Sequence, residues 1–212
     1  MCYTKQASIT AFLTGLISSI LLILFGNKEN KSENLVIGIL FLLVSFMQLF
    51  DYLIYIDPNC ENGLNKLAGY IGPIFNAIQP VILYIFILNM SDNKYTKTIA
   101  SIINIPYIIY ISILYIQYLQ QNKLCTSFEE GRPSWTWYHH GFGDVWNKIY
   151  LIVITLNVLM FFRYKYIMIA ALLGLLFFII SVFNYKYHIG EFWCFFVNTI
   201  PLIILLIQKS KI

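Results

Sequence analysis

Seven apolar stretches, residues 8–26, 34–56, 67–90, 96–118, 145–162, 165–184 and 190–208, take up most of this chain. Crossing a hydrocarbon layer about 30 Å thick takes a helix of about 20 mostly apolar residues, and each stretch meets or approaches that length. A composition 59% hydrophobic and 11% charged leaves no material for a soluble core of ordinary size. The expected fold is therefore all-α, a polytopic membrane bundle of seven transmembrane helices forming a single domain over residues 1–212. The connections are too short for a second domain. The first stretch lacks a clear small-residue cleavage site, so it reads as the first span and not as a signal peptide.

A net charge of +4, scattered along the chain, does not suggest nucleic acid. It bears on topology instead. Seven spans put the termini on opposite sides, with residues 1–7, 57–66, 119–144 and 185–189 together on one. Lys28, Lys31, Lys94, Lys97, Arg163, Lys165, Lys209 and Lys211 gather on the other, against six basic residues spread over the longer loops of the first. Cationic loops resist translocation. The expected localisation is an integral multi-pass membrane protein with its N-terminus extracytoplasmic and its C-terminus cytoplasmic.

Cys2, Cys60, Cys125 and Cys194 all fall on or just inside the face assigned as outer. An even set on one face suits an oxidising compartment. The sequence leaves the pairing open, although Cys60 and Cys125, both in loops, are the easiest pair to join. Four free thiols, with Cys194 packed as a small apolar residue, is the alternative. The glycosylation sequons beginning at Asn30 and Asn89 lie on the expected inner side. Trp135, Trp137, Trp146 and Trp193 all fall on the outer side, where indoles favour the headgroup level. Trp135 and Trp137 belong to an aromatic segment, residues 131–144, which either joins that belt or folds back on the bundle as a lid.

Polar residues inside spans are costly unless they face the bundle interior or water, so they point to a site. Ser45, Gln48, Asp51, Tyr52 and Tyr55 share one face of the second span. Pro73, Asn76, Gln79 and Pro80 share a face of the third. The fifth carries Asn147, Tyr150 and Asn157, and the seventh Glu191, Cys194, Asn198 and Pro201. Asp51 is the one carboxylate clearly inside a span, and no Lys or Arg lies inside a span to pair with it. The candidate ligand-binding set is Gln48, Asp51, Asn76, Gln79 and Asn198, with Trp193, His139 and His140 at its mouth. The competing reading is that these groups only tie helices together. His139, His140 and His188 could join Asp51 and Glu191 around a metal, but their spacing matches no zinc signature, and no cofactor is expected.

The last span has no Schiff-base lysine midway along it, as a retinal protein needs. The stretch from Asn198 to Pro201 is not the NPxxY motif of the large receptor class, and no internal repeat of the kind common in transporters is found. Met1-Cys2-Tyr3 with Ala7-Ser8, Met47-Gln48-Leu49-Phe50-Asp51-Tyr52, Gln79-Pro80 and Phe192-Trp193-Cys194-Phe195-Phe196 resemble the recurring pattern of a family of uncharacterised seven-helix membrane proteins. That family occurs in large DNA viruses and unicellular eukaryotes. Asp51 stands where that pattern has Glu. The resemblance covers under a tenth of the chain; it implies a shared fold and brings no catalytic residue. The function expected is binding or transport of a small solute, ion or lipid in an outward-facing polar pocket. The alternatives are a membrane-embedded metal-dependent hydrolase of the alkaline-ceramidase type and a non-catalytic scaffold of a viral or organellar membrane. The bilayer itself is the partner expected in every case.

Overall fold

The computed structural model describes residues 4–120, 124–129, 132–135, 143–184, 193 and 195–210. Among them are seven α-helices: α1 (Lys5–Phe25), α2 (Lys31–Ile56), α3 (Leu64–Met90), α4 (Lys94–Gln120), α5 (Gly143–Leu159), α6 (Lys165–Asn184) and α7 (Ile200–Lys209). Between α4 and α5 the strands β1 (Ser127–Glu129) and β2 (Arg132–Ser134) pair antiparallel, with Phe128 opposite Pro133. Helix starts are capped by short polar side chains. Thr4 Oγ1 accepts from the Ala7 N–H at 3.1 Å and Asn93 Oδ1 from the Tyr95 N–H at 2.9 Å, each filling an N–H that the helix itself leaves open.

Five helices, α1, α2, α3, α4 and α6, are long and apolar enough to cross a membrane. The other two fall short of the seven full spans expected. The 17 residues of α5 reach about 25 Å and the 10 of α7 about 15 Å. Helix α5 stops at Leu159 because its last turn tightens. The N–H groups of Met160 and Phe161 bond to the carbonyls three residues back, Asn157 and Val158, at 3.2 and 2.9 Å. Helix α7 has a break before it. Pro201 offers no N–H to the carbonyl of Val197, the chain turns at Asn198 and Thr199, and regular helix resumes at Ile200.

Outward faces are apolar. Leu13, Ile17, Ile20 and Leu24 of α1, and Ile102, Ile105, Ile109, Ile113 and Ile116 of α4, are all exposed. A soluble monomer rarely shows apolar area on this scale, whereas lipid accepts it. The helices are those of a multi-pass membrane protein.

The chain divides into two compact units, residues 1–52 with 162–212, and residues 53–161. In the first, Ser8, Ala11, Gly15, Ser18 and Leu22 lie on the buried stripe of α1, all but Leu22 small residues that let helix backbones approach closely. Contacts of Ser18 with Asn198 and of Asn27 with Gln208 show that α1 and α7 run parallel. Contacts of Phe12 with Phe46 and of Ile23 with Gly38 show that α2 runs opposite to α1. Contacts of Phe177 with Phe196, and of Phe178 with Trp193, pack α6 against the segment leading into α7.

In the second unit α3, α4 and α5 pack pairwise against one another. Two prolines interrupt the hydrogen bonding of α3, and α4 repairs it at the first. Pro73 cannot donate to the carbonyl of Gly69, which accepts instead from the Tyr118 hydroxyl at 3.0 Å. Tyr115 donates to the Tyr70 carbonyl at 2.9 Å, and Tyr107 to that of Ala77, beside Pro80, at 3.0 Å. Tyr107, Tyr115 and Tyr118 lie eight and three residues apart, on one face of α4. A membrane helix tolerates proline where neighbours satisfy the freed carbonyls, and here the Tyr118 hydroxyl does so for the carbonyl that Pro73 frees.

Candidate functional site

Ser45, Gln48 and Asp51 follow one another every three residues along one face of α2, and all are buried, Asp51 with 2% of its surface exposed. At the Ser45 end of this row α1, α2 and the turn before α7 converge. The Ser45 hydroxyl lies 2.9 Å from Asn198 Oδ1 and 2.6 Å from the Phe41 carbonyl. The Ser18 hydroxyl lies 3.2 Å from the Asn198 carbonyl and 3.3 Å from that of Gly15. A Cβ on Gly15 would overlap the Ser45 hydroxyl and the Asn198 amide, so glycine is what permits α1 to meet both. Asn198 sits in the turn before α7, and its unwound carbonyl is the one Ser18 holds. From Ser45, Gln48 and Asp51 lie about 4.5 and 9 Å further along α2. Tyr52 follows Asp51, and the Lys5 ammonium lies 5.7 Å from the centre of its ring, within cation–π range.

The other end of the same unit is also polar. Glu33, in the first turn of α2, accepts through Oε2 from the N–H groups of Tyr166 at 2.6 Å and Ile167 at 3.2 Å. A carboxylate at the positive end of a helix dipole is favourable, so Glu33 caps α6 from a distant part of the chain. Gln208 donates to Asn34 Oδ1 at 2.7 Å and accepts from the Asn27 N–H at 2.8 Å, and Asn34 donates to the Asn27 carbonyl at 3.0 Å. Lys28, Lys31, Arg163, Lys165 and Lys209 belong to the turns and helix ends around this cluster.

In the second unit the buried amides of α3, α4 and α5 are tied to neighbouring side chains and carbonyls. Gln79 Oε1 accepts from the Tyr150 hydroxyl at 2.6 Å. Asn104 and Asn157 exchange amide hydrogen bonds at 2.8 and 2.9 Å, and their remaining N–H groups go to the Ala100 carbonyl at 2.8 Å and the Pro80 carbonyl at 2.9 Å. Trp146 is buried against Tyr107 and Tyr150, so this indole is a core residue and not part of an interfacial belt. Trp135 is buried too, its ring filling the space a side chain at Gly72 would take. The described part of the loop thus folds back onto α3.

That loop is fastened at a second place. Cys60 and Cys125 stand as a disulfide, with Cα atoms 6.1 Å apart, the pair that loop placement favours. Next to it the Asn65 amide donates to the Thr126 carbonyl at 2.9 Å and accepts from the Thr126 N–H at 2.8 Å. Asp57 closes the turn between α2 and α3, its two oxygens accepting from the N–H groups of Asn62 and Asn65 at 3.1 Å each. Burial on its own would raise the Asp57 carboxyl; the N–H groups of Asn62, Asn65, Leu64 and Glu61 outweigh it and hold the group below its usual value. Gly63, at φ +76°, ends the turn in the left-handed region that favours glycine.

Of the candidate residues, Gln48, Asp51 and Asn198 lie in the first unit, and the Ser45 bond connects Asn198 to their row. Gln79 and the half-buried Asn76 lie in the second. The Trp193 indole donates to the Gly174 carbonyl at 3.0 Å and so binds α6. His139, His140, His188, Glu191 and Cys194 lie outside the described residues. Among the described residues no three His, Cys, Asp or Glu side chains are grouped so as to hold a metal. Compared with known proteins, the chain matches no family model, no curated protein and no solved structure.

Proposed function

We propose that this chain is a seven-span membrane protein, N-terminus outside, whose outer half binds a small cation or amine at Asp51 and passes it along the row Asp51–Gln48–Ser45. The observation that carries the reading is the buried carboxylate itself. An aspartate within an apolar helix is expensive to keep, and such groups mark ion or solute sites by default. The interruption at Asn198, one hydrogen bond from Ser45, supports it, since discontinuous helices with freed carbonyls recur where transporters coordinate cations.

Three features support the orientation. The parallel course of α1 and α7 puts the start of one and the end of the other at opposite ends of their unit, as an odd number of spans requires. Five basic residues gather at the end where α1 and α7 finish. The disulfide follows directly on the outer end of α2. For the short segments, α5 and α7 cross with the turns that adjoin them. Membership of the seven-helix family resembled by the sequence patches is part of the same proposal.

A second reading is a scaffold, favoured by the saturation of the buried amides in the second unit. Proteoliposome flux decides between them, using a panel of monovalent cations and small amines with Asp51→Asn as the comparison. Transport or binding of a panel member by the wild type, reduced at least tenfold in a folded Asp51→Asn protein, is expected. Equal behaviour of the two proteins across the panel favours the scaffold.

A further inference from the structure

One face of α4 carries, in order, Lys94, Lys97, Thr98, Ser101, Ile102, Ile105 and Pro106, and these residues line a shallow groove of about 550 Å3. Lys94 and then the neighbouring pairs at 97–98, 101–102 and 105–106 recur every three or four residues, which keeps them on one side of the helix. Its chemistry changes along its length, from two ammonium groups through two hydroxyls to purely apolar side chains. From Lys94 to Ile105 the helix rises about 16 Å, which is about half of a hydrocarbon core. Tyr95, 81% exposed beside the lysines, is the residue type that favours the headgroup level.

We infer that this groove binds one anionic phospholipid, with its phosphate at Lys94 and Lys97 and one acyl chain along Ile102, Ile105 and Pro106. Charge complementarity selects this occupant over neutral lipid. The hydroxyls do not read the headgroup, because Thr98 donates to the Lys94 carbonyl at 3.0 Å and Ser101 to the Lys97 carbonyl at 2.9 Å, with Tyr84 at 3.0 Å from Ser101. Selectivity is therefore for charge and not for headgroup identity. Asp92, the acidic residue nearest in sequence, lies outside the lining. The inference rests on membrane insertion but on neither the orientation nor the role of Asp51.

The test is titration of the full chain, in neutral detergent, with phosphatidylglycerol or phosphatidylcholine of the same acyl composition, bound lipid being counted by native mass spectrometry. Each lysine is worth about a fivefold change in affinity. Wild type should retain phosphatidylglycerol in preference, and Lys94→Gln with Lys97→Gln should weaken it about 25-fold while leaving phosphatidylcholine unchanged. The double arginine variant should keep the preference, and so should Lys28→Gln with Lys31→Gln, a basic pair outside the groove. Equal retention of the two lipids by the wild type overturns the inference, as does wild-type retention of phosphatidylglycerol by the double glutamine variant. Detergent removes sidedness, so an inverted topology or an inert Asp51 leaves this result untouched.

Discussion

A side-chain amide buried among membrane helices has two donors and an acceptor to satisfy, and Asn104 and Asn157 do this largely through each other. Asn157 was visible in the sequence as a polar residue on an apolar face. Asn104 was not, because one asparagine in an isoleucine-rich helix carries no pattern, and its partner is 53 residues away. Removing one member strands the other, at about 1–3 kcal/mol for a buried polar group left unpaired. Asn104→Leu should therefore lower stability by about that much, and Asn104→Leu with Asn157→Leu by less than the sum of the two single changes. Denaturant unfolding in mixed micelles checks this, and strict additivity would show that the pair is not coupled. Asp51 was legible for the opposite reason. A carboxylate within an apolar run is conspicuous in any sequence, whereas what surrounds it is not.

Helices were read more reliably than their ends. The apolar runs place all seven, yet the stop at Leu159 and the break at Asn198 depend on local hydrogen bonding that composition does not report. Pro201 was the available signal for the break. The apolar run 34–56 leaves Glu33 just outside it; only the fold shows that Glu33 caps α6 from the first turn of α2. Glu33→Gln keeps a hydrogen-bond acceptor and loses the charge, so it should destabilise by about 1 kcal/mol, read as a lower unfolding midpoint that salt narrows. The hairpin between α4 and α5 had no counterpart in the sequence reading, which offered a belt or a lid without a strand.

The Asp57 turn at the start of α3 gives a pH dependence. Its folded value lies below the ordinary 3.8, so its contribution is fully present above that value and is lost as the pH falls through the lower, folded one. Hydrogen exchange at the Asn62 and Asn65 amides should accelerate, relative to the intrinsic rate, over that acidic window in the wild type. In Asp57→Asn exchange should be fast already at neutral pH, with no acid transition. A wild-type profile without the transition would remove Asp57 as the cap.

At the scale of the molecule, the account joins a direction to a site. In the proposed topology, which rests on the charge bias, the disulfide after α2 and the parallel α1 and α7, the row from Asp51 to Ser45 starts nearer the outer side. The sequence suggested the side from charge counts and cysteine placement, and it suggested the row from spacing alone. The Ser18–Asn198–Ser45 junction at the foot of the row was half visible. Asn198 and Ser45 stood out in the sequence, but Gly15, which allows the approach, looked like any other small residue in a first span.

Labelling a single cysteine in sealed vesicles tests the site and its side together. Gln48→Cys is made with Cys2 and Cys194 replaced by serine and the Cys60–Cys125 bond intact, then exposed to a membrane-impermeant, positively charged thiol reagent from either face. The account predicts modification from the outer face, slowed about tenfold when Asp51→Asn removes the charge that draws the cation in. Modification from the inner face alone, or at a rate indifferent to Asp51, would contradict it.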